Sequence, residues 1–488
     1  MLKAGRMPPK RKAGTSEGRV LKRPAPAPPR DDVANVMPFA AAQEEFPFSS
    51  IGSEPEGQDE PEQELSEKSM TLSAGPRCLV QCFQWPEYYV SKMCSMLGPA
   101  HVYEALSNVQ WRVFTAFSGM GCPEVALEML KAGIPRVGPD FKKVNLNVTM
   151  GPAADKNKVC RKVLVDNFPD RCVFGDVFDF VKSGRTVQKM SLRSHCHCFK
   201  HGENCPLFKG DTASTGNVMI AGPPCTPWSK RGKRQGNKDP QAYTHIVWAK
   251  YVLEHKFDIV VFECVYDEQV LYNVTKVFGK EYDLKHTKMS AYSFGFCVSR
   301  VRLYVVMVRR MGKYMWTSEK SLEDMVAPLF RKTVMKVSDT FLLTPCELEE
   351  LANGPYRSKV HESDMSKSEV QHLRAYATKL PHKALWDLSQ NPEWGPNTEL
   401  KNGSLPNFTT NCGSLYSTEL KRMMTPWELL LNQGVPVTEA AARAAGVRRL
   451  KFEVPPHAVV RMAGNGMHVP CMGAALLAAM LHTNTRTA

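Results

Sequence analysis

Short apolar runs rich in β-branched residues alternate with helical patterns between residues 112 and 310. The first run, 112–118 (RVFTAFS), stops at Gly119-Met120-Gly121 and is followed by the helically spaced segment PEVALEMLKAG. The same order recurs in three more strand–helix pairs: 144–150 with 155–166, 218–221 with 241–255, and 259–262 with 267–278. Strands that alternate with helices predict a doubly wound, mainly parallel α/β sheet with helices on both faces.

The pattern changes on either side of this region. Two β-rich runs, 288–293 and 302–309, are close enough to pair directly, which predicts an antiparallel edge and therefore a mixed sheet. The regularity breaks over 311–410, and helical patterning returns over 422–482. Residues 1–75 show no apolar period and carry their charges in blocks, so we predict a disordered tail.

Composition narrows the class of protein. The chain of 488 residues is 43% hydrophobic and 23% charged, which is typical of soluble globular proteins and excludes fibrous and wholly disordered classes. No apolar stretch reaches the roughly 20 residues of a bilayer crossing, and no secretory signal is recognisable, so we predict no membrane span. The 15 cysteines, an odd number in a long chain, favour reduced thiols over a disulfide framework.

The net charge of +14 is unevenly distributed. Residues 1–30 carry +8 and residues 31–67 carry −11, and removing both from the total leaves +17 on the remaining 421 residues. This excess predicts a partner with many phosphates, with a merely soluble basic protein as the alternative. Basic clusters at 10–12 and 22–23 predict a two-part nuclear import signal, for which a solvated basic tail is the alternative.

The first strand–turn–helix unit has the features of a ligand site. Its turn places backbone amides and the positive end of a helix against a ligand, and the glycines permit a close approach. Glu124 stands where a dinucleotide-binding turn would have its third glycine. Asp155 follows the second strand and suits ribose hydroxyls, and Asp176 follows a later apolar run and suits an adenine amino group. An exposed acid and a simple turn are the alternatives for these two residues.

The stretch 218–229 (VMIAGPPCTPWS) predicts a nucleophile. A buried strand ends in two prolines that present Cys225 at the carboxyl edge of the sheet, where open α/β sheets bind their ligands. The next loop, 230–236 (KRGKRQG), suits a nucleic-acid backbone, and its four cations are expected to favour the Cys225 thiolate. The following strand ends in Glu263 at the same edge, which suggests a general acid beside the nucleophile. For Cys225 alone, a buried structural cysteine is the alternative.

Taken in order, these segments resemble the motifs of the DNA (cytosine-5) methyltransferase family. The matching segments are FSGMG at 117–121, DKNK at 155–158 with NFP at 167–169, GDV at 175–177, GPPCTPWS at 222–229, FECV at 262–265, SRVR at 299–302, RMMTPWELLLNQG at 422–434 and GNGMHVP at 464–470. The resemblance implies an S-adenosylmethionine-dependent, Rossmann-like methyltransferase. Its expected parts are a tail (1–75), a catalytic domain (76–310), a target recognition region (311–410) and a C-terminal part that returns to the catalytic domain (411–488).

The resemblance also implies roles for individual residues. Cys225 would be the nucleophile, and Glu263 would hydrogen-bond the base at N3. Arg300 and Arg302 would hold the flipped base and the catalytic loop. The residues implied to contact S-adenosylmethionine are Phe117, Ser118, Gly119, Met120, Gly121, Asp155, Asp176, Pro224, Asn465 and Gly466. The residues implied to contact the backbone of double-stranded DNA are Ser229, Lys230, Arg231, Lys233 and Arg234.

Two positions depart from the family pattern. Cys264 replaces the usual Asn of the Glu-Asn-Val motif and is expected to loosen the support of Glu263. Val298 replaces a Gln and cannot hydrogen-bond. Because an exposed glutamate would be ionised, the mechanism predicts that Glu263 is partly buried and has a raised pKa.

A Cys/His cluster occupies an apparent insertion between the third and fourth motifs. Cys and His at such short spacings can make a tetrahedral zinc site, and reduced thiols in a loop are the alternative. The predicted ligands are Cys196, Cys198, His201 and Cys205.

Three functional classes remain open. The first is a nuclear DNA cytosine methyltransferase whose tail binds nuclear import or chromatin proteins. The second is a tRNA cytosine methyltransferase with the same fold, although the Cys-Phe-Thr signature typical of that branch is not found in the sequence. The third is a catalytically silent, DNA-binding regulator, for which the two departures are the argument.

Overall fold

The computed structural model describes residues 72–182, 190–208, 215–229, 234–355 and 357–486. The predicted tail up to residue 71, both basic clusters of the import signal, and Lys230, Arg231 and Lys233 lie outside the described residues. The described strands are β1 (Ser73–Ala74), β2 (Gln110–Ala116), β3 (Asn147–Ala154), β4 (Val173–Phe174), β5 (His195–Cys198), β6 (Glu203–Pro206), β7 (Gly216–Ala221), β8 (Ile259–Cys264), β9 (Tyr282–Met289), β10 (Arg302–Arg309), β11 (Tyr314–Trp316), β12 (Arg331–Lys332), β13 (Leu385–Asp387), β14 (Leu415–Ser417), β15 (Arg422–Met423) and β16 (Thr483–Thr485).

The α-helices lie mainly between the strands of the central sheet and in the C-terminal quarter. They are α1 (Leu79–Cys82), α2 (Trp85–Leu97), α3 (Pro99–Ser107), α4 (Cys122–Gly133), α5 (Lys158–Asn167), α6 (Tyr243–His255), α7 (Glu268–Phe278), α8 (Leu322–Val326), α9 (Pro345–Asn353), α10 (Lys367–Lys379), α11 (Pro426–Asn432), α12 (Glu439–Ala445), α13 (Pro456–Asn465) and α14 (Val469–His482).

Seven strands form the central sheet in the order β4-β3-β2-β7-β8-β10-β9. The pairs from β4 to β8 are parallel, whereas β10 runs antiparallel to both β8 and β9. This topology confirms the predicted doubly wound mixed sheet with an antiparallel edge. The edge strand β9 begins at Tyr282, six residues before the apolar run that predicted it.

Every residue of β7 and β8 is buried, so the central strands are covered on both faces. The apolar segment near the C-terminus forms α14, which is buried along its whole length and packs against α4. Among the residues that the structure describes, no helix is long and apolar enough to span a bilayer. Core residues of α14 and α11 belong to the same hydrophobic cluster as those of α2, α4 and the sheet.

The region after β10 contains a small separate sheet in the order β13-β14-β15. Tyr376, Trp386 and Tyr416 form a stacked cluster beside it. Two of its strands follow residue 410, so this sheet crosses the boundary that we placed there. A backbone hydrogen bond from Ser299 to Leu405, at 3.0 Å, joins the region to the motif before β10. The domain boundaries themselves stay predictions.

Candidate active site

Cys225 lies four residues beyond the end of β7, at the carboxyl edge of the central sheet. The amides of Trp228 and Ser229 donate to its carbonyl at 3.1 and 3.0 Å, so the chain turns directly after the thiol. His245 of α6 donates from Nε2 to the carbonyl of Pro224 at 3.0 Å. Burial lowers the pKa of His245 to about 4, which keeps the ring neutral at pH 7. His245, which the sequence analysis missed, therefore fixes the residue before the nucleophile.

The basic loop after Cys225 is held at both ends. The indole of Trp228 donates to Gln269 Oε1 at 2.9 Å, and the amide of Gly236 donates to the carbonyl of Pro227 at 3.0 Å. Arg234 is exposed and has a left-handed φ of 48°. Because the three cations between these anchors lie outside the described residues, the predicted DNA contacts of the loop, including those of Ser229 and Arg234, stay predictions.

Glu263 is the buried carboxyl group of the site, with 7% of its surface exposed. Burial raises its pKa above the ordinary value, and Arg302 and Arg300 offset part of this effect. Arg302 Nε lies 3.5 Å from Glu263 Oε1, yet among the described residues this oxygen has no hydrogen-bond partner. The predicted burial and raised pKa of Glu263 are confirmed, and its buried Oε1 has Arg302 as an ionic neighbour but no hydrogen-bond partner among the described residues.

A glycine permits this arrangement on the β7 side. A Cβ at Gly222 would lie 2.4 Å from the Met467 methyl group and 3.2 Å from Glu263 Oε2, so a larger residue would have to displace the end of Met467 and would press against the carboxyl group. Gly222 of the GPPC motif therefore lets the β7 loop, the carboxyl group and the C-terminal segment meet.

Arg300 differs from Arg302 in its contacts. It is 3% exposed and donates to Asn407 Oδ1 at 3.0 Å and to the Phe408 carbonyl at 3.3 Å. Its second terminal nitrogen donates to the carbonyls of Gly464 and Gly466 at 3.2 and 2.8 Å. Arg300 thus ties residues 407–408 to the C-terminal motif and acts as a positioning residue. Contact of either arginine with a flipped base stays a prediction.

Among the described residues the pKa of the Cys225 thiol is raised, and because Lys230, Arg231 and Lys233 lie outside them, the expected effect of the loop cations stays a prediction. Burial raises the pKa of Cys225, and Glu263 adds to this rise. The lowering contributions come from Arg302 and Arg300, across the pocket, and do not reverse it. The cost of burying a thiolate is not apparent from the cations next to Cys225 along the chain.

The turn at 117–121 has the open geometry of a cofactor cradle. Phe117, Gly119 and Gly121 have φ values of 54°, 56° and 93°. The Gly119 amide donates to Asp155 Oδ2 at 2.8 Å, which links the turn to the end of β3. A Cβ at Gly119 would meet nothing within 4 Å, so there is open space beside this backbone.

Other residues of the turn face inward. The Ser118 hydroxyl donates to the Ala154 carbonyl at 3.2 Å, and Met120 is buried. A Cβ at Gly466 would lie 2.5 Å from the Met120 methyl group, which shows how closely the C-terminal motif packs against the turn. The side chains of Ser118 and Met120 therefore shape the cradle from inside, and the Ser118 amide is also bonded to the Ala154 carbonyl, at 3.1 Å.

The two predicted cofactor acids lie after neighbouring strands. Burial raises the pKa of Asp155, whose Oδ1 accepts from the Asn157 amide at 2.7 Å. Asp176 accepts from the Phe178 amide at 3.2 Å and pairs with Lys156 at 3.1 Å. The lysine is 82% exposed, so a ligand can displace it. Open space beside a glycine turn, with two acids at the adjoining strand ends, fits a nucleoside-containing cofactor.

Asn465 ends α13 and is exposed beside this turn, whereas Pro224 belongs to the Cys225 loop. Their predicted contacts with S-adenosylmethionine, like those of the other cofactor residues, stay predictions. The structure brings the turn, the Cys225 loop and the C-terminal motif together, since Gly466 contacts Met120 and Met467 approaches Gly222.

A buried ion pair lies beneath the turn, where the sequence analysis noted only a missing glycine. Glu124 on α4 pairs with Arg171, and both side chains are almost fully buried. Thr115 of β2 donates to the same carboxylate at 2.6 Å. The partners are 47 residues apart, so spacing alone could not identify the pair. It fixes the start of α4 against the segment before β4.

The predicted metal-ligand set is wrong at one position. The four side chains whose ligand atoms lie within 4.8 Å of one another are Cys172, Cys198, His201 and Cys205. Cys196 instead donates to the Asp179 carbonyl at 2.9 Å. The short spacing on one strand favoured Cys196, but the fold brings in Cys172 from the segment before β4.

The two departures from the family pattern lie in closed packing. Cys264 is 1% exposed at the end of β8, and burial together with Cys225 and Glu263 raises its pKa well above the ordinary value. Val298 is fully buried and pairs with Leu405 through an isolated bridge. Val298 thus packs beside the connection between the motif and the recognition region.

The chain matches the family model for C-5 cytosine-specific DNA methylase over residues 200–479. That range covers more than half of the sequence, so the chain belongs to this family, and membership supports an enzyme that methylates carbon 5 of cytosine. A methyltransferase implies S-adenosylmethionine as methyl donor. The cofactor turn and both cofactor acids precede the matched range. No curated protein sequence matches the chain.

Several solved structures are similar. A prophage-encoded protein of E. coli assigned as a DNA modification methyltransferase is 16% identical, with a TM-score of 0.46 and coverage of 75% of this chain and 97% of the other. The S. pombe Dnmt2 methyltransferase is 15% identical, with a TM-score of 0.46 and coverages of 76% and 98%. The Entamoeba histolytica methyltransferase EhMeth is 13% identical, with a TM-score of 0.43 and coverages of 76% and 98%.

Proposed function

We propose that this protein transfers a methyl group from S-adenosylmethionine to carbon 5 of cytosine in double-stranded DNA, through a covalent adduct with Cys225. The observation that carries the proposal is the buried Glu263 carboxyl group at the sheet edge. It has a raised pKa, one oxygen without a described hydrogen-bond partner, and electrostatic coupling to Cys225. A group of this kind can donate a hydrogen bond to a ring nitrogen while the thiolate attacks the same ring.

Cys225 and Glu263 have separate roles in the reaction. Carbon 5 of cytosine is a poor nucleophile, so the Cys225 thiolate first adds to carbon 6 and forms a sulfur–carbon bond, while Glu263 delivers its proton to N3. S-adenosylmethionine, when bound, would supply an electrophilic methyl group to the activated carbon 5 and would leave as S-adenosylhomocysteine. Transfer of the carbon 5 proton to water, cleavage of the sulfur–carbon bond with its electron pair returning to the Cys225 thiolate, and return of the N3 proton to Glu263 then restore the aromatic ring and both side chains.

Arg302 has an electrostatic role in this scheme. It lies 3.5 Å from Glu263 and lowers the pKa of both Glu263 and Cys225, so it offsets part of the cost of burying their charged forms. Arg300 holds the recognition region and the C-terminal motif around the same pocket. The open space beside Gly119, with Asp155 and Asp176, would hold the adenosine part of the cofactor.

The choice of DNA rests on charge and on the tail. Residues 68–488 carry +17, which suits phosphate contacts along a duplex, and a base must leave the stack to reach Cys225. The basic clusters at 10–12 and 22–23 favour import into the nucleus, where we place the protein and a role in epigenetic regulation. The tail would bind import or chromatin proteins.

Product analysis tests the substrate class. The full chain would be incubated with methyl-labelled S-adenosylmethionine and either duplex DNA or tRNA, and the digested nucleosides would be analysed by mass spectrometry. Labelled 5-methyl-2′-deoxycytidine that is absent with Cys225→Ala supports the proposal. Labelled 5-methylcytidine alone moves the assignment to the tRNA branch. No label in a protein that binds S-adenosylmethionine supports the silent regulator.

A further inference from the structure

Four side chains converge outside the active site. They are defined here as the thiol–imidazole cluster: Cys172, Cys198, His201 and Cys205. Their ligand atoms all lie within 4.8 Å of one another. His201 Nδ1 lies 3.7 Å from Cys172 Sγ, 3.4 Å from Cys198 Sγ and 3.2 Å from Cys205 Sγ.

The three nitrogen–sulfur distances match the edges of a small tetrahedron. A zinc ion binds sulfur at about 2.3 Å and imidazole nitrogen at about 2.0 Å, so ligand atoms of one site lie roughly 3.5 Å apart. Three thiols and one imidazole also form a ligand set that zinc prefers over the hard cations calcium and magnesium. Four protein ligands leave no open position, which is the pattern of a structural site.

The backbone holds the cluster in place. β5 and β6 form an antiparallel hairpin in which Cys198 pairs with Glu203. The turn is closed by the Gly202 amide, which donates to the Cys198 carbonyl at 2.8 Å, and Gly202 has a left-handed φ of 73°. His201 lies in this turn, so its ring is directed by the hairpin and not by a flexible loop.

Cys196 provides an internal contrast. It lies on the same strand as Cys198 and is buried to a similar degree, yet its thiol donates to the Asp179 carbonyl. Cys172, 26 residues before Cys198 in sequence, occupies the fourth corner instead. The cluster is therefore a product of the fold and not of local cysteine content.

The hairpin also contacts the cofactor side of the sheet. The amide of Phe199 donates to the Val173 carbonyl of β4 at 2.8 Å. The guanidinium of Arg161 lies over the Phe199 ring, 3.9 Å from its centre, and donates to the Asp155 carbonyl at 3.0 Å. The Phe199 ring also lies 3.2 Å from the position of a Cβ on Gly175, the residue before Asp176. The hairpin thus supports both predicted cofactor acids.

We propose that the thiol–imidazole cluster binds one structural zinc ion, which fastens the β5–β6 hairpin to β4 and so supports the adenosine side of the cofactor pocket. The ion joins Cys172, at the start of β4, to three ligands of the hairpin. The part that concerns the cofactor rests on the proposed function, whereas the metal site does not.

Metal analysis of the full chain tests the site. Zinc would be measured in protein purified without chelator, for wild type, Cys172→Ser and the matched control Cys196→Ser. We expect one zinc per chain in wild type and Cys196→Ser, and at least about tenfold weaker retention against a competing chelator in Cys172→Ser. Wild-type protein without stoichiometric zinc, or equal loss in both variants, overturns the proposal.

A second measurement needs no variant and so does not depend on the folding of one. Wild-type protein would be stripped of metal and reloaded with cobalt(II). The intense visible absorption of tetrahedral thiolate coordination, displaced by one equivalent of zinc, supports the site. The weak absorption of six-coordinate cobalt, or no binding, overturns it.

Cofactor binding tests the link to Asp155. Equilibrium binding of S-adenosylmethionine would be compared for zinc-loaded, stripped and reloaded wild type, and for Phe199→Ala. We expect at least about fivefold weaker binding in stripped protein, restored by zinc, and weaker binding in Phe199→Ala with its zinc retained. Unchanged affinity after stripping overturns the supporting role. Failure of zinc-loaded protein to bind the cofactor at all contradicts the proposed function and leaves the zinc stoichiometry as a separate result.

Discussion

Two cysteine environments in the same domain differ in what surrounds the sulfur. Cys225 shares its pocket with two arginines and one carboxyl group, and the fully buried Cys264 is a neighbouring thiol. Cys172, Cys198 and Cys205 instead surround an imidazole and one another. Charges of both signs around one sulfur suit a reaction in which a thiolate forms and is released, whereas several sulfurs around a nitrogen suit a bound cation. The groups around each sulfur, and not its burial, therefore distinguish a reactive cysteine from a metal-binding cysteine.

The largest expected effect is the loss of the Cys225 sulfur. Cys225→Ala removes the nucleophile, so we expect methyl transfer to fall by on the order of 10⁴-fold or more. The measurement is single-turnover methyl transfer to the substrate found by product analysis. Cys346→Ala, an exposed cysteine on α9, is the control and should keep its activity. Activity in Cys225→Ala would move the chemistry to another residue.

A smaller loss of activity is expected when Glu263 is substituted. Glu263→Gln keeps the shape beside Gly222 but cannot deliver a proton to N3, so we expect kcat to fall about 10²- to 10⁴-fold. Affinity for S-adenosylmethionine should not change, since Glu263 contributes to the cytosine side of the pocket. An equal loss of cofactor binding would show that the variant disturbs the pocket as a whole.

Substitution in the thiol–imidazole cluster should lower the stability of the protein more than substitution of Cys225, which is the reverse of the order expected for activity. If the thiol–imidazole cluster holds zinc, Cys198→Ser should lower the free energy of unfolding by about 3 kcal/mol or more, because loss of a metal belongs to the severe class of substitutions. Cys225→Ser should change it by less than about 1 kcal/mol. Denaturant titration of the zinc-loaded protein measures both, and equal effects would contradict the division of roles.

The smallest effect concerns pH. The pKa of Cys225 is raised above its ordinary value of about 9, so the thiolate fraction at neutral pH is small and grows as pH rises. The Cys225-dependent rate of alkylation, taken as the difference between wild type and Cys225→Ala, should increase about tenfold per pH unit below that pKa. A plateau below about pH 8 would show instead that the cations of the 230–236 loop lower the pKa.

Features that depend on a short run of consecutive residues could be predicted from the sequence. The alternation of strands and helices gave the sheet, and the segments 117–121 and 222–229 gave its turns, because each depends on a short run of glycine, proline and apolar residues. The burial of Glu263 was predicted from the mechanism that the family resemblance implies, because an exposed glutamate would be ionised.

Features that join distant parts of the chain could not be predicted in this way. Cys172 reaches the cluster only because β4 and the hairpin are neighbours, and Arg171 reaches Glu124 only across the sheet. His245 lies among the apolar residues of α6, and its role is visible only from its hydrogen bond to the Pro224 carbonyl in the folded structure. The direction of the Cys225 pKa required the burial of the pocket, which adjacent residues do not reveal.

The central claim is that Cys225 attacks carbon 6 of cytosine in DNA. Its most direct test is a covalent trap: the full chain, S-adenosylmethionine and duplex DNA containing 5-fluorocytosine, resolved on a denaturing gel. Fluorine at carbon 5 cannot leave as a proton does, so the adduct should persist. We predict a slow-migrating protein–DNA band that is absent with Cys225→Ala and in the absence of cofactor. No band from cofactor-binding wild type, or a band that persists in Cys225→Ala, would contradict the claim.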